Sequence, residues 1–485
     1  MNMGDRTLAK MGNLCEYRPF PSQRRYASGR TDCSPDDAVP RALRQAPGRH
    51  LRHAAAELRR RSDPAQSHRR RAHPHGPPGG LPPRGTPGGE DRARSAHAHP
   101  PALLRVGLRL RRCERRGPPQ GRPDPQALVG RDPVTGPALA SQPTLSRFEN
   151  SVGPRDLYRL TQTLADVVIA HHAARLAARR VTRITIDVDP TDDPTHGQQE
   201  LAFFTGHYDT WWYLPLVGTL TFNGERTQHL VTALLRPGNA PATAGALGVL
   251  RRLFRKLRGA FPHATLRVRL DGGFAHPAVF AFLEAEGVES RVAMASNARL
   301  ETRIRRPLGR ARVQSKATGQ SAQVFGETRY AAKSWGRKRR VIMKAEVVRL
   351  AGRDPRDNPR FVVTNLPQSP RRVYAISRER GAMENRLKEL HYGLGFDRTS
   401  CTAFWANAFR VLLTAAAYVL LQALRERLAA TPAASLQVSP LRERLFKLGA
   451  RVQVSARRIV LHLPSAFPWL ALWQSVARAL GASPG

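Results

Sequence analysis

The sequence predicts an α/β fold, and three observations carry that prediction. Short runs with alternating apolar residues, such as Ile184 and Ile186 or Leu266, Val268 and Leu270, have the period of strands. Between them lie longer runs whose apolar residues recur three and four apart, the period of helices. Two of the strands also end alike. Arg183-Ile-Thr-Ile-Asp-Val-Asp189 halts at Pro190, which cannot continue a central ladder. Thr265–Leu270 halts at Asp271-Gly272-Gly273, where glycine lets the backbone pass close to whatever the carboxylate holds.

The front of the chain reads differently. Residues 1–126 contain no Ile, no Trp and a single Lys, Lys10, while Arg, Pro, Gly, Ala and His fill most positions. A low-complexity basic chain of this kind cannot bury enough apolar surface to offset its ordering entropy, so disorder is expected. Two readings remain open: a basic arm that binds nucleic acid non-specifically, or a GC-rich gene translated out of frame up to about residue 129. The charge argument does not depend on the choice. The 485 residues carry a formal charge of +42, and beyond residue 126, 53 basic residues still face 26 acidic ones. Such a field favours a polyanionic partner, most simply nucleic acid.

From residue 139 the elements follow in order. Residues 139–180 form a helical lead-in, with Leu157, Leu160, Leu164, Val167, Val168 and Leu176 at helical spacing. His171 and His172 lie on that helix and read as ordinary histidines, since no ligand partner stands at metal spacing. Strands are expected over 183–189, 210–221 and 227–236, then a helix over 243–260, a strand over 265–270, a helix over 277–286 and a strand over 288–294. Three antiparallel strands, a helix, a parallel strand, a helix and another strand is the order of a ribonuclease-H-like core, whose first part spans 181–296. Residues 297–372 read as a β-rich insertion carrying the cationic turn Ser334-Trp-Gly-Arg-Lys-Arg-Arg340. There Trp335 is a candidate base-stacker, and Arg337, Lys338, Arg339 and Arg340 are candidate phosphate contacts. Residues 373–430 supply the rest of the core and 431–485 a helical and strand tail. The apolar run 411–424 is too short to span a bilayer and reads as a buried core helix, so no membrane partner is expected. The scattered cysteines Cys15, Cys33, Cys113 and Cys401 argue against a zinc site or a disulfide framework and fit a reducing cytosol.

Asp189, Asp271 and Glu384 stand in order, two at strand ends and one on a helix. In a ribonuclease-H-like sheet the first and fourth strands are neighbours, and a later helix can deliver the Glu. Three carboxylates can hold two Mg²⁺ ions about 4 Å apart, with Mn²⁺ as a substitute. Asp187, Asp192 and Asp193 compete with Asp189 for the first position, and Asp189 is preferred because it ends the strand. The segments Asp187-Val-Asp-Pro-Thr-Asp-Asp-Pro-Thr-His-Gly-Gln-Gln199, Leu270-Asp-Gly-Gly-Phe274, Arg380-Gly-Ala-Met-Glu-Asn-Arg-Leu-Lys388 and Asp397-Arg-Thr-Ser400 carry a resemblance. Over about residues 139–449 the chain resembles a bacterial insertion-sequence transposase of the DDE class, from the IS thirteen-eighty group of the IS-four-like set. The resemblance implies Asp189, Asp271 and Glu384 as catalytic metal ligands, with Arg380 and Lys388 facing DNA. It also implies Mg²⁺-dependent strand cleavage and transfer at the inverted repeats of a mobile element, a homodimer on paired ends, and a cytoplasmic, nucleoid-associated protein. Relatives often carry Tyr seven residues before the Glu and Lys seven after it, where this chain has Ser377 and His391. Two other readings stand beside it: a ribonuclease-H-like nuclease without strand transfer, and a DNA-binding remnant without chemistry.

Overall fold

The computed structural model describes residues 140–205, 209–378, 381–454 and 459–482. Every described residue belongs to one compact unit, within 74–485. The expectations for residues 1–126 and for Arg380 lie outside the described residues.

The sheet grows outward from β1 (Arg183–Pro190). Ile184, Ile186 and Val188 are fully buried on one face of it. Each contributes roughly 1.5–3 kcal/mol by leaving water. On one side β1 pairs antiparallel with β5 (Leu216–Phe222), which pairs with β6 (His229–Leu234). On the other it pairs in parallel with β7 (Thr265–Leu270), and β7 in parallel with β8 (Glu289–Met294). Between β1 and β5, the short strands β2 (Asp193–Pro194), β3 (Phe203–Thr205) and β4 (Thr210–Tyr213) form a separate three-stranded sheet. The expected single strand over 210–221 is thus two, interrupted before Leu216 by Pro215, whose carbonyl accepts the N–H of Thr191.

Helices cover both faces. α1 (Gln142–Ser151) leads into α2 (Pro154–Arg175). One core gathers α2, α3 (Ala246–Ala260) and α4 (Pro277–Ala285) against Ile184, Ile186, Val188, Val268 and Leu270. The apolar stripe of α3 (Val249, Leu250, Leu253, Phe254, Leu257) faces inward. Of its basic residues, Lys256 pairs with Asp166 and Arg258 with Glu286.

The region expected to be a β-rich insertion starts instead with a 21-residue helix, α5 (Ala298–Thr318). Asn297 caps it by accepting the Leu300 N–H, and Gly319 ends it at φ +68°. The strands that follow are β9 (Ala322–Tyr330), β10 (Arg339–Val348), β11 (Arg356–Asp357) and β12 (Arg360–Thr364). They do not form a module of their own. β12 pairs antiparallel with β8, giving a nine-stranded sheet with the path β11-β10-β12-β8-β7-β1-β5-β6 and β9 beside β10.

The second face is covered by α6 (Pro370–Arg378), α7 (Gly381–Lys388), a π-helical turn over Glu389–Leu394, and α8 (Phe404–Arg427). Among the described residues α8 is the one helix long and apolar enough to cross a membrane, and 72% of its most apolar stretch is buried inside the protein. The tail holds α9 (Val438–Leu441), a hairpin of β13 (Arg451–Val454) and β14 (Ile459–His462), and α10 (Leu470–Ala479).

Candidate catalytic carboxylates and a second ligand cluster

Strand alternation sorts the acids of β1. With Ile184, Ile186 and Val188 in the first core, Asp187 and Asp189 project to the opposite face. Leu266, Val268 and Leu270 likewise place Arg267, Arg269 and Asp271 on that same face. The parallel register sets Val188 beside Leu270, so Asp189 and Asp271 are the next residues along on adjacent strands, roughly 4.8 Å apart in backbone spacing. Both are half-buried. Asp271 is further fixed by its Oδ1, which accepts the Gly273 N–H at 3.0 Å. A side chain on Gly273 would come within 2.8 Å of Ala242 Cβ, so glycine lets this turn close.

The competing acids have other work. Asp187 is fully buried and takes a two-pronged bond from Arg269, Nε to Oδ1 and Nη2 to Oδ2, both at 2.7 Å. Gln228 Nε2 adds a third bond at 2.9 Å, and Arg269 Nη1 also holds the Ile376 carbonyl of α6. This carboxylate is neutralised inside the fold. Asp193 is also fully buried, with Thr399 Oγ1 3.0 and 3.1 Å from its two oxygens. Burial, helped by the charges of Asp397 and Asp192, pushes it up to about 8. A folded-state value above the unfolded 3.8 means that the native protein binds this proton more tightly. Its contribution is therefore complete below about pH 4 and is lost as pH rises toward 8. Asp193→Asn should flatten that slope, which is at most about 1.4 kcal/mol per pH unit. Thermal melts at pH 5 and pH 9 measure it, and an unchanged difference between the two would rule the assignment out.

Glu384 lies on α7, exposed and ion-paired with Lys388 at 2.8 Å. The helix crosses the face that bears Asp189. Met383 is buried, and its sulfur meets Thr219 Oγ1 at 3.3 Å; Thr219 stands opposite Asp187 in the ladder. The π-helical turn then brings His391 Nε2 to 3.0 Å from Thr191 Oγ1, in the turn just after Asp189. His391 Nδ1 lies 3.7 Å from Asp397. Burial alone would raise Asp397, but the hydrogen bond and charge of His391 outweigh it and hold the carboxyl below its usual range. Glu389, by contrast, is engaged by Arg386, Arg425 and Tyr418.

The cationic turn is less available than its sequence suggests. Trp335 is 8% exposed and packs edge-on against Phe280 and Tyr330, with the Arg339 guanidinium over its ring. The fold presents that residue as packing rather than as a stacking platform. Arg337 and Arg339 both engage Glu284, Arg340 engages Glu327, and Lys338 is exposed. Sequence reading also missed Arg236. Its buried guanidinium is held by the carbonyls of Leu214, Pro241, Ala242 and Ala244. Burial lowers it to about 10, partly offset by the charge of Asp271.

A second cluster was not legible from spacing. His171, His172 and Glu426 bring ligand atoms within 4.8 Å of one another, a group that could hold a divalent ion. The expectation that these histidines lack a partner is corrected by Glu426, which α8 delivers from 255 residues away.

Residues 122–484 match the family described as Transposase DDE domain group 1. The chain belongs to that family. A DDE transposase works on DNA, which accords with the basic excess of this member. Among solved structures, the Mos1 transposase paired-end complex with left transposon end is similar at 13% identity. The match covers 51% of this chain and 68% of that one, with a TM-score of 0.16. No curated protein matches the chain.

Proposed function

We propose that this DDE transposase serves an insertion sequence of the IS thirteen-eighty group, and that it cleaves the element's ends and joins them to target DNA. The observation that carries the reading is the register of β1 against β7. It makes Asp189 and Asp271 neighbours on one face, and the helix that carries Glu384 meets that face through Met383 and Thr219. The strand order β6-β5-β1-β7-β8, in which β1 with β7 and β7 with β8 pair in parallel and the other pairs are antiparallel, supports a ribonuclease-H-like core.

The donor set fits Mg²⁺. Asp189 and Asp271 offer hard carboxylate oxygens at the ends of buried strands, and Glu384 offers a third from an exposed helical position. Bound there, the ions would activate a water or a DNA 3′-hydroxyl and stabilise the departing oxygen, with Mn²⁺ able to replace them. The chain's own part is positioning. Gly273 N–H orients Asp271, and His391 braces the Asp189 turn through Thr191. The cationic residues Lys388, Arg337 and Lys338, with Arg380, would draw in the phosphate backbone, and a homodimer would hold two ends in the nucleoid.

The test is a labelled DNA fragment carrying the element's own ends, incubated with the full chain in Mg²⁺ and in EDTA. Cleavage and strand transfer in Mg²⁺ alone are expected. Cleavage without transfer would make the chain a simple nuclease. Metal-independent, salt-sensitive binding with no cutting would make it a binding remnant.

A further inference from the structure

The cluster around His172 extends beyond three residues. His171 and His172 lie near the C-terminal end of α2, His229 opens β6, Glu225 sits between β5 and β6, and Glu426 lies near the end of α8. His172 and His229 are 3% and 2% exposed, with ring centroids 4.0 Å apart. His229 Nδ1 and His172 Nδ1 lie 3.6 and 3.9 Å from the same oxygen, Glu426 Oε1, and His171 Nε2 is 2.7 Å from Oε2. His229 Nε2 is 3.6 Å from Glu225. Both ring nitrogens of His229 and Oε1 of Glu426 are buried without a hydrogen bond. Buried polar atoms left in this state are costly and call for an explanation such as an ion.

The spacing supplies one. Metal bonds of 2.0–2.2 Å in a tetrahedron set donor atoms about 3.3–3.6 Å apart, close to the separations around Glu426 Oε1. Imidazole with carboxylate is the donor set of a Zn²⁺-class ion rather than of Mg²⁺. The resident competitor is Arg175, whose Nε donates to His172 Nδ1 at 3.0 Å. An ion would replace that bond and the 2.7 Å hydrogen bond between His171 Nε2 and Glu426 Oε2, which must open to ligand spacing, while the fork of Arg175 on Glu225 can stay.

We propose that His171, His172, His229 and Glu426 form a structural site for one Zn²⁺-class ion that ties α2 and α8 to β6. It is separate from the Asp189–Asp271 edge. His229 stands across from Leu220, while Asp189 stands across from Val217, about 10 Å further along β5. The ion would fasten two helices more than two hundred residues apart to one strand.

The test uses the full chain, stripped with chelator and titrated with Co²⁺ in excess Mg²⁺, followed by visible absorption. The front of the chain is rich in histidine, so the decisive quantity is a difference between variants. Wild type should show one equivalent with the intense bands of tetrahedral N/O cobalt, displaced by Zn²⁺. His229→Gln and Glu426→Gln should each weaken that equivalent at least about tenfold, and Asp271→Asn should keep it. Equal cobalt spectra in wild type and both cluster variants would overturn the proposal, as would loss of the signal only in Asp271→Asn. Should His229→Gln fail to fold, the melting temperature of wild type decides instead. It should rise with one equivalent of Zn²⁺, and no rise counts against the site.

Discussion

Asp271→Asn should reduce Mg²⁺-dependent cleavage at the element's ends by more than about 10²–10³-fold, the loss typical when one electrostatic stabiliser of a transition state is removed. Asp189→Asn should do the same. Both acids end adjacent parallel strands on one face, so each substitution removes a negative oxygen from one place. Asparagine preserves shape and can still accept the Gly273 N–H, so the fold should persist. Retained affinity for non-specific duplex DNA, measured at several salt concentrations, would separate lost chemistry from lost binding. Cleavage at wild-type rate in either variant would remove that residue from the catalytic set.

The second large effect concerns stability. Asp187→Ala should destabilise the protein by about 3–5 kcal/mol, the cost of leaving a buried charge without its counter-ion. Arg269 is 2% exposed and loses both prongs of its bond, while Gln228 loses an acceptor. Denaturant unfolding reads the change as a lower midpoint. Together the two experiments separate acids only two residues apart: Asp187→Ala should strike stability and Asp189→Asn activity. A wild-type midpoint for Asp187→Ala would show that the buried pair contributes little.

Much of the arrangement was legible in the sequence because it rests on local pattern. Ile184, Ile186 and Val188 alternate, as do Leu266, Val268 and Leu270, and the Asp closing each strand follows from Pro190 and Gly272. The order of the main-sheet strands β1, β5, β6, β7 and β8, with the helices between them, follows from the same periodicities, whereas β2 and β3 were not expected and β4 was merged with β5. What was not legible depends on distant partners. Nothing near Asp187 says that Arg269, 82 residues on, will neutralise it. His172 stands beside His229 and Glu426 only because β6 and α8 pack together against α2. The helix over 298–318 was missed for a local reason. Its inward stripe of Leu300, Ile304, Leu308 and Ala311 is thin among many arginines, and Pro307 interrupts it. The Asn297 cap and the Gly319 stop were nonetheless in plain sight.

The pairing of β12 with β8 has a consequence for how far the chain can be shortened. Cutting away residues 297–368 would bare the whole outer side of β8, a row of unpaired amides and carbonyls beside an apolar core. Exposed edges of this kind recruit other chains and seed aggregation. The segment between Asp271 and Glu384 therefore also seals the sheet, and its simple removal would not leave a closed core.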